Sequence, residues 1–134
     1  MTGGKARAGI GNGWPAALLA IALGACATQD TKIEENILPT DYKPKIVGRL
    51  AVQLDSLKGI RDAYIAEPAL KPRGAFTRYI ICMRFDAKDA QGQYQGNKEY
   101  AAFYYQGQLT QIVDASREMC DGALYRPFPE LEKF

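Results

Sequence analysis

Apolar residues recur at three- and four-residue intervals through Ile46, Val47, Leu50, Ala51, Leu54 and Leu57, the spacing that keeps one face of an α-helix apolar. This predicts an amphipathic helix over about 42–57, with Pro44 in its first turn, Thr40 or Asp41 as its cap and Gly59 to end it. The opposite face carries Lys45, Arg49, Gln53 and Lys58. Such a stripe is ordinarily solvated, and its alternative use is to meet an acidic partner. "IRDAYIAEP" reads as a short extended run ended by Pro68, and "ALKPRGA" as a loop.

From Phe76 the apolar period falls to two, the signature of strands. "FTRYIICMRF" places Tyr79, Ile81, Met83 and Phe85 on a core-facing side, with Phe76, Arg78, Ile80, Cys82 and Arg84 on a mixed side. "DAKDAQGQYQGN" is rich in turn formers and predicts a long, mobile connection. Two further alternating runs, about 98–105 and 108–114, flank Gln106-Gly107, where a glycine in second position suits a tight hairpin. Tyr100, Ala102 and Tyr104 share one side of that hairpin, and Ala101, Phe103 and Tyr105 the other. In the tail, a helical turn leads to Cys120, Gly122 stops it, and a prolyl segment with Leu124, Tyr125, Phe128 and Leu131 follows. The tail is expected to lie across the mixed side of the strands, partly shielding Tyr100 and Tyr104.

The start of the chain follows another pattern. Lys5 and Arg7 stand without acids, and an uncharged, apolar segment then runs to Cys26. Its densest part, Trp14 to Leu23, is about 15 Å long as a helix, against the roughly 30 Å of a bilayer core. Basic residues followed by a short apolar run are the layout of a secretory signal. The run ends in Leu23, Gly24, Ala25 and Cys26, and this resembles the lipobox of bacterial lipoproteins: an aliphatic residue, two small residues, then cysteine. The resemblance covers residues 1–26 only. It implies cleavage between Ala25 and Cys26, with the Cys26 thiol joined to diacylglycerol and the new amino group acylated, for example with palmitate. Two or three acyl chains make a lasting anchor where one is marginal. Ala27, in a position where aspartate retains enteric lipoproteins at the inner membrane, implies the outer membrane.

The chain then divides into a signal peptide, 1–25, a lipidated cysteine with a flexible tether, 26–40, and one domain, 41–134. The tether Ala27–Thr40 spans at most about 45 Å at roughly 3.3 Å per residue. The expected fold class is α+β: one N-terminal amphipathic helix packed on an antiparallel sheet of about four strands, with one disulfide. Cys82 and Cys120 are left as an even pair once Cys26 carries lipid, and disulfides persist in an envelope compartment. The alternative for this pair is a redox or catalytic thiol, but no CxxC and no histidine accompany it.

Composition narrows the chemistry. Seventeen basic residues stand against fifteen acidic ones, and with Lys5 and Arg7 removed the remainder is formally neutral, so no nucleic-acid partner is expected. Without histidine, and with Ser56 and Ser116 as the only serines, neither a Ser-His-acid triad nor a histidine metal site can be assembled. No metal or other cofactor is expected, and an enzyme is not the expectation. Arg78 and Arg84 suit a carboxylate or phosphate, although pairing with acids such as Glu99 across the sheet is the plainer role. With Tyr100 and Tyr104 they form the candidate binding surface. The functional expectation is an envelope lipoprotein held to the bilayer through Cys26 and facing the periplasm. Its non-catalytic domain binds a protein or cell-wall partner in an accessory or structural role. Inhibition of a secreted lysozyme or protease is the alternative.

Overall fold

The computed structural model describes residues 36–134. In chain order they form α1 (Tyr42–Gln53), β1 (Arg61–Ile65), β2 (Ala69–Arg73), β3 (Phe76–Lys88), β4 (Tyr94–Tyr105), β5 (Gln108–Asp114), β6 (Arg126–Pro127) and a 3₁₀ turn, Pro129–Leu131. The six strands make one sheet in the order β5-β4-β3-β1-β6, with β2 pairing on β3, and every pairing is antiparallel. This corrects the expected helix on about four strands. The described residues are mostly sheet, with one short α-helix.

Two segments account for the difference. "ALKPRGA" is not a loop: Ala69 to Arg73 pair with Ile80 to Phe76. β2 pairs with β3 alone, and an edge strand is where a proline such as Pro72, with no amide proton to donate, is tolerated. The tail supplies the other strand, as Arg126 and Pro127 add to β1 opposite Ile65 and Tyr64.

The helix is shorter than its apolar spacing suggests. It stops at Gln53, because Leu54 is already extended at φ −93°, ψ 155°. Asp41 sits in the left-handed region at φ 50° and makes no side-chain cap. α1 lies against β5 and the 3₁₀ turn, burying Ile46 and Leu50 completely. Its basic stripe is not simply solvated. Arg49 donates to the carbonyls of Thr110 and Leu109 at 3.1 and 3.3 Å, and Gln53 to that of Ile112 at 3.0 Å. These side chains occupy carbonyls of an edge strand that would otherwise invite another strand.

The sheet has apolar groups on both faces. On the helix face Ile81, Met83, Phe85, Ala102, Tyr104 and Ile112 pack with Ile46, Leu50, Phe128 and Leu131. On the other, Ile80, Cys82, Ala101 and Phe103 pack with Ala66 and Cys120. The tail serves both: Tyr125 packs on the second face, and Phe128 and Leu131 are buried on the first. It wraps the β1 edge instead of lying across one side. The Phe128 amide bonds the Ala63 carbonyl at 2.8 Å, and Glu132 accepts from the Ala63 amide at 2.9 Å.

The connection between β3 and β4 is a turn rather than a long mobile loop, since pairing reaches Lys88 and Tyr94. Asp89 organises it by accepting from the amides of Gln91 and Gln93, each at 2.9 Å. At the next turn Gln106 and Gly107 have φ of 49° and 79°, the paired positive values of a type I′ hairpin. Among the described residues no helix is long and apolar enough to cross a membrane.

Candidate binding site

Cys82 points from β3 onto the face away from α1, where it is bonded to Cys120, 38 residues on, with Cα atoms 5.8 Å apart. The bond fixes a series of turns held by Met119 to Ser116 and Ala123 to Cys120 amide–carbonyl bonds. Between these turns, β2 and the corner that joins β1 to β2 lies a cleft of about 240 Å³. The disulfide, Ile80, Ala66 and Met119 give it an apolar floor. Its rim is charged: Lys71 donates to the Asp121 carbonyl at 2.9 Å, and Arg126 pairs with Glu67 at 3.6 Å. Leu124 stands at the mouth, 83 % exposed. An apolar floor with a few polar groups at the rim is the form of a side-chain-sized recognition site.

Beside the cleft, Arg84 lies between two tyrosine rings, 4.8 Å from the centroid of Tyr64 and 4.7 Å from that of Tyr125. Glu99 is directly opposite Arg84 in the ladder, and the Tyr125 hydroxyl donates a short hydrogen bond to its carboxylate. The Tyr125 hydroxyl is held well above the usual phenol range, first by burial and then by this bond and the charge of Glu99, against which Arg84 works.

Further along β3, Asp86 is buried, although its place in the sequence next to a turn-rich stretch suggested a turn residue. Register slips by one residue in both neighbouring strands here, between Arg61 and Tyr64 in β1 and opposite Asp86 to Lys88 in β4. Asp62 at φ 54° and Gly96 at φ 94° mark the two bulges. One slip brings Arg61 Nε to 3.1 Å from the carboxylate, and the other brings the Gly96 amide to 2.9 Å. Arg61 also stacks on Tyr94, 3.6 Å from the ring centroid, and the Tyr94 hydroxyl bonds the Gly59 carbonyl at 2.6 Å.

The four residues expected to form one surface are separated. Arg78 and Arg84 are on the disulfide face, Arg78 lying over Phe76 and Tyr105. Tyr100 and Tyr104 belong to the helix face, because Met83 pairs with Tyr100 and Ile81 with Ala102. Tyr100 stacks on Phe85 with centroids 4.5 Å apart, and its hydroxyl is pushed up by burial and by Asp114 and Asp86. Tyr104 is buried and its hydroxyl is pushed up to about 12, by burial and by Tyr42. Neither tyrosine is shielded by the disulfide-bonded turns. Lys71, Arg126 and the Arg61–Asp86 pair were not singled out in the sequence. Gly96 falls within the turn-rich stretch before the alternating run, so it reads as part of the connection and gives no signal of the bulge beside Asp86. Ala25 and Cys26 lie outside the described residues.

No protein-family model matches the sequence, and no curated protein or solved structure matches it at a significant level.

Proposed function

We propose that this chain is an envelope lipoprotein, acylated at Cys26, whose folded domain is a non-catalytic binding module that receives a protein partner at the cleft beside the disulfide. The cleft is the observation that carries the reading. It has an apolar floor sized for one large side chain, a rim of opposite charges, and walls tied together by the Cys82–Cys120 bond. The cations at its mouth already have partners within the domain, Lys71 in the Asp121 backbone carbonyl and Arg126 in the Glu67 carboxylate, which favours recognition over proton transfer. The lipobox-like Leu23-Gly24-Ala25-Cys26 supports the anchor, and Ala27 supports the outer membrane, with the domain in the periplasm.

Two measurements test the two halves separately. The mass of the chain extracted from membranes is expected to equal residues 26–134 plus acyl groups, and a chain still carrying Met1 overturns the anchor. A photo-crosslinking side chain at Leu124 in intact cells is expected to give a discrete adduct that Ala69→Arg, in the cleft wall, abolishes. An adduct pattern indifferent to Ala69→Arg removes the cleft as the binding site.

A further inference from the structure

α1 holds Lys43, Lys45 and Arg49 and no acidic residue. Lys43 is spent on Glu130 at 3.9 Å, while Lys45 and Arg49 line a shallow groove between α1 and β5 together with Val52 and Leu109. Val52 is 86 % exposed there, a value at which an aliphatic side chain contributes nothing to the fold. Gly48 lies between them on the same helix face, and a Cβ added to it would meet nothing within 4 Å. The fold gives no reason for a glycine in that place, where alanine favours a helix by roughly 1 kcal/mol. The chain enters the domain at the end of this groove. Ile37, 49 % exposed, lies beside Gly107 of the β4–β5 turn, where an added Cβ would come within 3.2 Å of its Cγ2, next to Gln108 in the groove wall, and Leu38 beside it is 55 % exposed.

We infer that this basic and apolar face, from Ile37 and Leu38 across Val52 and Lys45, rests on the anionic phospholipid surface of the membrane that carries the anchor. The inference rests on the lipoprotein reading for the tether, and on the face itself for the contact. Nine residues lie between Cys26 and Asn36, and the ten steps from one to the other span no more than about 36 Å even when fully extended. The entry point at Ile37 is therefore always close to the bilayer, and a weak surface contact operates at high effective concentration. Aliphatic side chains set among lysine and arginine are the combination that enters the headgroup layer of an anionic membrane. The placement also orients the binding site. α1 shares the core of Ile81 and Met83, whereas the cleft floor is Ile80 and Cys82, so α1 and the cleft are on opposite faces of the sheet. Resting on α1 turns the cleft away from the lipid.

The test attaches the chain to vesicles without relying on acylation in the cell. The described residues, 36–134, lie within one compact unit, and with Cys82 and Cys120 bonded to each other, the Cys26 thiol of a chain starting at that residue is the one free thiol. It can be coupled to a maleimide lipid in vesicles of equal parts phosphatidylglycerol and brominated phosphatidylcholine. Trp14 is absent from such a chain, so Val52→Trp or Leu124→Trp provides a single fluorophore. The expected result is quenching several-fold stronger for Val52→Trp than for Leu124→Trp. It is also expected to weaken when phosphatidylglycerol is omitted or when Lys45→Glu is added. Equal quenching of the two fluorophores, or quenching indifferent to lipid charge and to Lys45→Glu, overturns the inference. Because the tether is chemical, neither result depends on the cellular acylation that the extracted mass reports.

Discussion

The two faces of the sheet are closed by different physics. On the helix face the seven largest fully buried side chains, Phe85, Phe128, Ile46, Leu50, Ile81, Met83 and Leu131, meet without a covalent link. On the disulfide face the buried groups are fewer, and arginines laid on rings take the place of aliphatic contacts. Arg73 lies 4.0 Å from the centroid of Phe103, Arg78 lies 5.0 Å from Phe76 and Tyr105, and Arg84 sits between Tyr64 and Tyr125. Each such contact contributes about 0.5–1 kcal/mol at an exposed site, against about 1.5–3 kcal/mol for each large aliphatic or aromatic side chain fully buried. A face that leaves a cleft open forgoes burial, and the disulfide offsets what is missing. Stability is therefore concentrated opposite the face proposed to recognise a partner.

If that division is right, the largest effect comes from emptying the helix face. Phe85→Ala is expected to cost about 3–5 kcal/mol, the range for phenylalanine lost from a rigid core, in urea unfolding with the disulfide intact. Ile80→Ala, at the matching depth on the other face, is expected to stay near the lower end of its range, about 2 kcal/mol, because the cleft lets its surroundings relax. Equal costs would abolish the distinction between the faces. Next in size is removal of the Cys82–Cys120 bond by a double change to alanine. Closing a loop of this length is worth about 4 kcal/mol in the chain-entropy account. Amide exchange is expected to accelerate across 116–126 and to stay slow in the ladder between Phe85 and Tyr100. Loosening of both faces together would show that the bond supports the whole sheet.

Much of this arrangement was legible in the chain. The hairpin at Gln106-Gly107, the alternation through Phe76–Phe85 and the cysteine pair are local signals, and local signals survive folding. Strand number was not legible, because Pro72 and Pro127 lie in strands on the sheet margins, where the missing amide proton costs little, while sequence punctuation reads proline as a loop. The facing of Tyr100 and Tyr104 was lost for another reason. Each strand displays two sides, but which side of β4 joins which side of β3 depends on register, and register is set by the bulge at Gly96 and the turn built on Asp89. The apolar spacing predicts too long a helix because Leu57 is buried and keeps the helical period, although it reaches the core from the segment after α1.

The smallest effect tests the comparison most closely, because one chemical change is expected to act with opposite signs on the two faces. The Tyr104 hydroxyl is buried on the helix face without a hydrogen-bond partner among the described residues. The Tyr125 hydroxyl, on the other face, donates to Glu99. Tyr104→Phe removes an unpaired polar atom and is expected to leave stability at neutral pH unchanged or raised by up to about 1 kcal/mol, whereas Tyr125→Phe removes a hydrogen bond that solvent weakens and is expected to cost about 0.5–1.5 kcal/mol. Alkaline pH gives a second readout of Tyr104. Burial raises the Tyr104 hydroxyl from 10.0 to about 12, so the unfolded chain loses this proton first. The contribution of that raised value is fully present below pH 10 and is lost as pH climbs through about 12. Urea unfolding across this window is expected to show the parent chain falling more steeply than Tyr104→Phe, with Tyr100 and Tyr125, whose hydroxyls are also raised, supplying the decline that remains. If Tyr104→Phe destabilises the domain at neutral pH, the helix face contains a polar bond at its centre, and the contrast between a dry face and a polar one fails there.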